Sequence, residues 1–141
     1  MKRILFLCLI VLLSADERVV VDNSTGLMWQ DSYSNNHGLI RNSCWEKALR
    51  YCHELDMKGY HDWRLPNINE LKSIVDRNLH SPALSPVFQR VSLGNYWSST
   101  TLASSPDNAW TLYMNYGNTS YGDKTYGYFV RCVRGGDSYK K

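Results

Sequence analysis

The sequence lacks the short motifs that most often mark a catalytic or cofactor site. It contains no Gly-x-Ser-x-Gly nucleophile elbow, no phosphate-binding glycine loop and no His-Glu-x-x-His zinc motif. Its four histidines do not reproduce a common zinc spacing, and no Cys-x-x-Cys pair accompanies them. These absences favour structural or surface roles for the histidines and predict that the protein is not an enzyme.

A long apolar run is also missing. The longest one, residues 4–13, is about half of the roughly 20 residues that a membrane-spanning helix needs. Lys2 and Arg3 precede this run and small residues follow it, so residues 1–15 have the layout of a signal peptide cleaved after Ala15. We therefore expect an exported protein without a membrane span, located in the periplasm, at the cell surface or outside the cell. An uncleaved membrane anchor is the alternative.

The chain has no strong excess of one charge. Sixteen Lys and Arg residues face 13 Asp and Glu residues, which gives a net charge of +3. Loss of the two basic residues of the signal peptide lowers this to about +1, whereas nucleic-acid binding needs a dense basic patch. The remaining chain, residues 16–141, has no repeat or long linker and is predicted to be a single domain.

Apolar periodicity predicts an α+β protein in which two helices pack on small antiparallel sheets with many loops. Residues 19–21 and 27–29 read as an opening hairpin. Ser43 and Glu46 form a capping-box pattern for the first helix, and Asn67 with Glu70 caps the second. Later strands are predicted by residues that alternate or are β-prone, over 96–100, 110–114 and 128–133. Most of the tryptophans lie in segments that read as core. Asp62 and Arg64, on either side of Trp63, predict an ion pair bracing the loop before the second helix.

Three cysteines remain after cleavage of the signal peptide. Cys44 and Cys52 share the first predicted helix, where eight residues place their α-carbons about 12 Å apart, beyond the reach of a disulfide. Either can therefore pair with Cys132. Cys52 is favoured because it lies in the middle of the apolar stripe of the helix, whereas Cys44 lies at its edge. Cys44 is then an unpaired thiol, either packed against the core or open to an intermolecular bond.

Four phrases of the sequence, in this order, resemble the Lcl C-terminal domain family. They are residues 25–30 (TGLMWQ), 62–67 (DWRLPN), 96–100 (YWSST) and 131–136 (RCVRGG). The similarity covers about residues 19–136. It implies a C-type lectin-like fold, shared with formylglycine-generating enzymes, and a disulfide from the first helix to the last long strand, on Cys52 and Cys132. It also implies binding to sulfated glycans or host surfaces, although the absence of collagen-like repeats and the near-neutral charge weaken that transfer.

Short polar side chains and tyrosines concentrate in the segment from about residue 104 to 123, which is the predicted recognition surface. Aromatic rings can stack on sugars, and sugar hydroxyls can complete an oxygen shell around calcium. Ordinary turns use the same residue types. No cofactor is expected to be required, but calcium would suit Asp107 and Asn108. The predicted ligand-binding residues are Asp107, Asn108, Asn115, Tyr116, Asn118, Tyr121 and Asp123.

The sequence thus predicts non-catalytic recognition at the cell envelope or surface, with a carbohydrate as the leading ligand. One alternative is a protein-interaction or structural subunit of a surface assembly, in which Cys44 could form an intermolecular link. The second alternative is an envelope enzyme distantly like the formylglycine group. That group uses a cysteine-based copper site, and Cys44 alone cannot supply two thiolates.

Overall fold

A computed structural model describes residues 16–136 of the chain. The predicted signal segment, residues 1–15, lies outside this range. The described part contains two α-helices and eight strands, so the predicted α+β class is confirmed. Their bounds are β1 Val19–Asp22, β2 Leu27–Gln30, β3 Asn42–Ser43, α1 Trp45–His53, α2 Ile68–Ser73, β4 Asn95–Thr101, β5 Asn108–Tyr113, β6 Asn118–Asp123, β7 Tyr128–Phe129 and β8 Val133–Gly135. A 3₁₀ turn covers Ser34–Asn36.

The strands form two small sheets. The first has the order β1-β2-β8 and the second the order β3-β7-β4-β5-β6. Most neighbouring strands are antiparallel, and only β4 and β7 are parallel. Neither helix between residues 16 and 136 is long and apolar enough to cross a membrane.

The opening hairpin is confirmed. Strands β1 and β2 pair antiparallel, with Val20 opposite Trp29. Their turn is held by Asp22, whose carboxylate accepts hydrogen bonds from the Ser24 amide at 2.9 Å and the Thr25 hydroxyl at 2.9 Å. Hydrogen bonding from Ser24 lowers the pKa of Asp22 below its ordinary value despite the opposing effect of desolvation.

The N-cap of the first helix lies one residue later than predicted. Cys44 occupies the N-cap position without a side-chain cap bond, so the predicted Ser43 capping box is wrong. The reason is long-range: Ser43 belongs to β3, opposite Tyr128, and its carbonyl accepts a hydrogen bond from the Trp97 indole at 2.8 Å. The helix buries Ala48 and Cys52.

The second helix begins where the sequence predicts. The Asn67 side chain accepts a hydrogen bond from the Glu70 amide at 2.8 Å, and the Glu70 carboxylate accepts one from the Asn67 amide at 2.9 Å. Arg64 holds the same carboxylate with two bonds of 2.6 and 2.7 Å. Asp62 pairs instead with Arg134 at 2.6 Å. Ion pairs therefore brace this loop, but each joins it to another segment.

The last predicted strand is divided between the two sheets. Residues 128–129 pair with β3 and β4, residues 130–132 cross between the sheets, and residues 133–135 pair with β2. The crossing residues are anchored: Arg131 is buried and lies 3.3 Å from the buried carboxylate of Asp31. Cys132 forms the predicted disulfide with Cys52, with 5.4 Å between their α-carbons.

The core consists of two apolar clusters on either side of this crossing. One contains Trp29, Leu71 of α2 and Leu112 of β5. The other contains Trp97 and the disulfide. The Asp31 carboxylate also accepts hydrogen bonds from the amides of Gln89 and Arg90, at 2.9 and 3.0 Å. Through these contacts the long irregular segment between α2 and β4 is fixed to the rest of the domain.

Candidate functional site

All but one of the predicted ligand-binding residues fall on the β5–β6 hairpin or its turn, and Asp107 directly precedes β5, but the seven lie at separate places. The pairing places Asn108 opposite Asp123, Trp110 opposite Tyr121, and Tyr113 opposite Asn118. Since a strand advances about 3.4 Å per residue, the two ends of this hairpin are about 17 Å apart. The seven residues therefore do not form one cluster. Asn115, Tyr116 and Asn118 lie at the turn, whereas Asp107, Asn108 and Asp123 lie at the other end.

The turn end of the hairpin is fixed to the neighbouring loop. The Asn115 side chain accepts a hydrogen bond from the Gly94 amide at 2.8 Å, and its carbonyl accepts one from the Ser81 amide at 2.6 Å. Gly117 packs so closely that an added Cβ would lie 2.4 Å from Val75. The side-chain oxygen of Asn115 thus has a structural use, while Tyr116 remains exposed.

The other end carries the acidic residues. Asp123 accepts hydrogen bonds from the amide and hydroxyl of Thr125, at 2.8 and 2.7 Å, and these bonds lower its pKa. The Asn108 amide donates to the Ser105 hydroxyl at 3.1 Å. Among residues 16–136, no group of three or more His, Cys, Asp or Glu side chains is placed to hold a metal ion. Calcium at Asp107 and Asn108 stays a prediction.

An aromatic pair occupies the hairpin between these ends. Trp110 and Tyr121 lie on paired strands with ring centroids 6.3 Å apart and ring planes 84° apart. Tyr121 is 58% exposed and Trp110 is half-buried. Because side chains alternate between the faces of a strand, Asn108 and Asp123 belong to the same face, one repeat away. We call these four residues the aromatic patch.

The two faces of the hairpin are distinct. On the face of the patch, Leu112 lies in the core cluster that contains Leu71 of α2. The helix therefore covers the Leu112 end of this face, and the patch lies farther along the strands. On the opposite face, Tyr128 packs against β6, since a Cβ at Gly122 would lie 2.4 Å from its ring. Tyr126 contacts Tyr128, with 6.5 Å between the ring centroids, and so belongs to that opposite side.

The prediction that most of the tryptophans are core residues is confirmed for three of the five. Trp29, Trp63 and Trp97 are buried, but Trp45 and Trp110 are only half-buried. Trp110 remains accessible because its strand has only β6 beyond it in the sheet. The sequence carries no signal of this, since Trp110, Leu112 and Met114 alternate with Thr111 and Tyr113 as a buried apolar face would.

A groove beside α1 was not predicted. It has a volume of about 740 Å³ and is lined by apolar and charged side chains, which include Trp45, Leu49 and Arg50 of the helix. The Trp45 indole donates to the Ser98 carbonyl at 2.9 Å, and the Lys124 ammonium lies 4.0 Å from the centre of the Trp45 ring. Trp45 thus joins the helix to the sheet, with one ring face already covered by a cation.

The unpaired thiol is the predicted one. Cys44 is free and half-buried, and it lines a second groove, of about 630 Å³, whose walls also include Asp107, Asp123 and Lys124. The prediction that Cys52 and not Cys44 pairs with Cys132 is confirmed.

Comparison with known proteins assigns the family. No curated protein matches the chain. The family model described as the Lcl C-terminal domain matches residues 18–134, which is most of the chain and includes both cysteines of the disulfide. The four phrases that carry the resemblance lie within or at the edge of this match. This chain belongs to the Lcl C-terminal domain family.

Proposed function

We propose that this chain is an exported, non-catalytic recognition module that binds carbohydrate at the aromatic patch. The observation that carries the proposal is the placement of the Tyr121 ring. It is 58% exposed on a regular hairpin and is supported from the side by Trp110. An aromatic ring held in this way offers a large apolar surface to the C–H face of a sugar at little cost in conformational entropy.

Polar groups beside the rings supply the directional part of recognition. Asn108 and Asp123 face each other two residues along the strands from the aromatic pair, a distance of about 7 Å. An ionised carboxylate accepts hydrogen bonds from hydroxyls, and an amide can both donate and accept. Hydrogen bonds from Thr125 move the pKa of Asp123 further below neutrality, and its carboxylate is ionised at neutral pH. An apolar platform with a few fixed polar groups is the usual composition of a small-ligand site.

We further propose that the fold is a variant of the C-type lectin-like fold. The support is the disulfide that joins the first helix to the segment between the last two strands, together with two helices on small sheets. Calcium is proposed as an optional ligand at Asn108, a residue of the patch, and at Asp107, which precedes it in the sequence. Export is proposed from the signal-like layout of residues 1–15.

The non-catalytic part of the proposal is supported by the cysteines. Between residues 16 and 136, Cys44 is the one thiol outside the disulfide. A copper site of the formylglycine kind needs two thiolates. The protein-interaction alternative is favoured by a different observation, the exposed edge of β6, which is developed below.

The test is a broad glycan array probed with the oxidised, exported protein, with calcium and with a chelator. Tyr121→Ala should lower binding roughly tenfold, because it removes the exposed ring of the aromatic pair. Tyr126→Ala is the matched control, since Tyr126 has the same side chain and 59% exposure but lies on the opposite side of the hairpin. Loss of binding in the chelator would assign a role to calcium at Asp107 and Asn108.

Either of two results would refute the proposal. One is no binding by the wild-type protein to any glycan under both conditions. The other is binding that falls equally in Tyr121→Ala and Tyr126→Ala, which would place the site elsewhere.

A further inference from the structure

Strand β6 is an unprotected edge of the larger sheet. It is the outermost strand in the order β3-β7-β4-β5-β6, and its six residues pair with β5 without a bulge. Residues 118–121 are all exposed. Proteins usually block such an edge with lysine, proline, a bulge or a very short strand. None of these devices occurs between residues 118 and 122.

The pairing pattern shows which backbone groups of β6 point outward. The Lys124 amide donates to the Asp107 carbonyl at 2.9 Å, so this pair marks a hydrogen-bonded position of the ladder. In an antiparallel pair such positions alternate, so residues 118, 120 and 122 direct their amides and carbonyls toward β5. Thr119, Tyr121 and Asp123 therefore direct theirs outward. The Asp123 carbonyl accepts from the Tyr126 amide at 2.9 Å, in agreement with this assignment.

Thr119 and Tyr121 consequently present two amides and two carbonyls to an added strand. Within residues 16–136, no strand except β5 pairs with β6. We propose that β6 of a second copy of this chain pairs antiparallel with this edge. In the register that opposes Thr119 to Tyr121 of the second copy, four hydrogen bonds satisfy all of these groups in both copies. Ser120 then lies opposite Ser120 of the second copy at the two-fold axis.

The occupant is a second copy because the edge is complementary to itself. It carries no charged side chain between residues 118 and 122. The single charge at its end, Asp123, would be about 20 Å from Asp123 of the second copy in this register. Like charges therefore do not face each other, and a closed two-fold dimer results rather than a filament.

This dimer would place two aromatic patches side by side. A two-fold axis perpendicular to the joined sheet keeps the Tyr121 face of both copies on the same side. The consequence for binding rests on the proposed function: two weak sites facing one way favour closely spaced, repeated glycans on a surface, where binding of the second site becomes intramolecular. The dimer itself does not depend on what the patch binds.

The test is sedimentation equilibrium of the exported, oxidised protein from about 1 µM to about 1 mM. Ser120→Asp and Ser120→Lys each place like charges opposite one another at the axis, so each variant should self-associate several-fold more weakly. An equimolar mixture of the two should recover association as a heterodimer. Ser120 is exposed and lies on the face opposite Tyr121, so these variants leave the patch and the fold intact.

A backbone variant gives a second, independent readout. Thr119→Pro removes one outward amide per copy, and proline is tolerated on an edge strand at an outward position. It should weaken dimerisation roughly 30-fold through two lost hydrogen bonds, whereas Thr119→Val, which keeps the amide, should not. A wild-type protein that stays monomeric at 1 mM overturns the proposal, as does a mixture of the charged variants that associates no better than either alone. Binding of a monovalent sugar to these variants reports on the patch separately.

Discussion

Removal of the disulfide is the perturbation whose cost follows most directly from the structure. Cys52 and Cys132 are 80 residues apart in sequence, and both are fully buried. In the chain-entropy treatment, opening a loop of this length destabilises the folded state by about 4.5 kcal/mol at 25 °C. That is a large part of the roughly 5–15 kcal/mol by which a domain is usually stable.

The assay is urea denaturation of the oxidised protein and of a Cys52→Ala/Cys132→Ala double variant, followed by tryptophan fluorescence. The variant should lose about 4–5 kcal/mol in the free energy of unfolding. Cys44→Ala is the control, because that thiol is half-buried and unbonded, and it should change the free energy by less than about 1 kcal/mol. A loss below about 2 kcal/mol in the double variant would refute the loop-closure reasoning. An equal loss in Cys44→Ala would contradict the assigned pairing.

Two further predictions concern the buried ion pair and the second helix. Arg131→Met removes one of the two arginines that pair with the fully buried Asp31 carboxylate, the other being Arg18 at 2.7 Å, and should cost about 1–3 kcal/mol in urea denaturation; a variant as stable as the wild type would contradict this role. Burial alone would raise the pKa of Glu70, but hydrogen bonds from Arg64 and Asn67 lower it below its ordinary 4.5. Glu70 therefore stabilises the fold above pH 4.5, and this contribution is lost as the pH falls through the lower folded-state pKa. The stability difference between wild type and Glu70→Gln should shrink over that range, and a difference that is constant with pH would contradict the assignment.

The elements that were predicted correctly depend on local sequence. The Asn67 and Glu70 capping box needs only residues three apart, and the opening hairpin needs only its own turn. The disulfide was predictable because the position of Cys52 in an apolar stripe is also a local property. For each of these features, the pattern of residues close in sequence indicates the structure that forms.

The wrong or missing predictions lie where contacts between residues far apart in the sequence determine the structure. Ser43 is drawn into β3 by Tyr128, which lies 85 residues later, so the first helix starts after it. Strand β6 was not predicted, because asparagine, glycine and aspartate have low strand propensity, and its strand conformation comes from pairing with β5. The last strand is divided because Arg131 and Cys132 are held by Asp31 and Cys52.

The candidate site was likewise predicted only in part from the sequence. The tyrosines and short polar residues were recognised from composition, but their separation along the hairpin was not. Trp110 lies in a segment that read as core, because Trp110, Leu112 and Met114 alternate with Thr111 and Tyr113. Only the sheet order, with β6 outermost, shows that its ring is accessible.

The measurement that tests the central claim most directly follows the tryptophan indole N–H signals by NMR during titration with a glycan selected on the array. The account predicts that the Trp110 signal shifts with saturation, that the buried Trp63 signal does not, and that Tyr121→Ala abolishes the Trp110 shift. A shift confined to Trp45 would place the ligand in the groove beside α1, and unchanged signals at all five tryptophans would contradict binding at the aromatic patch.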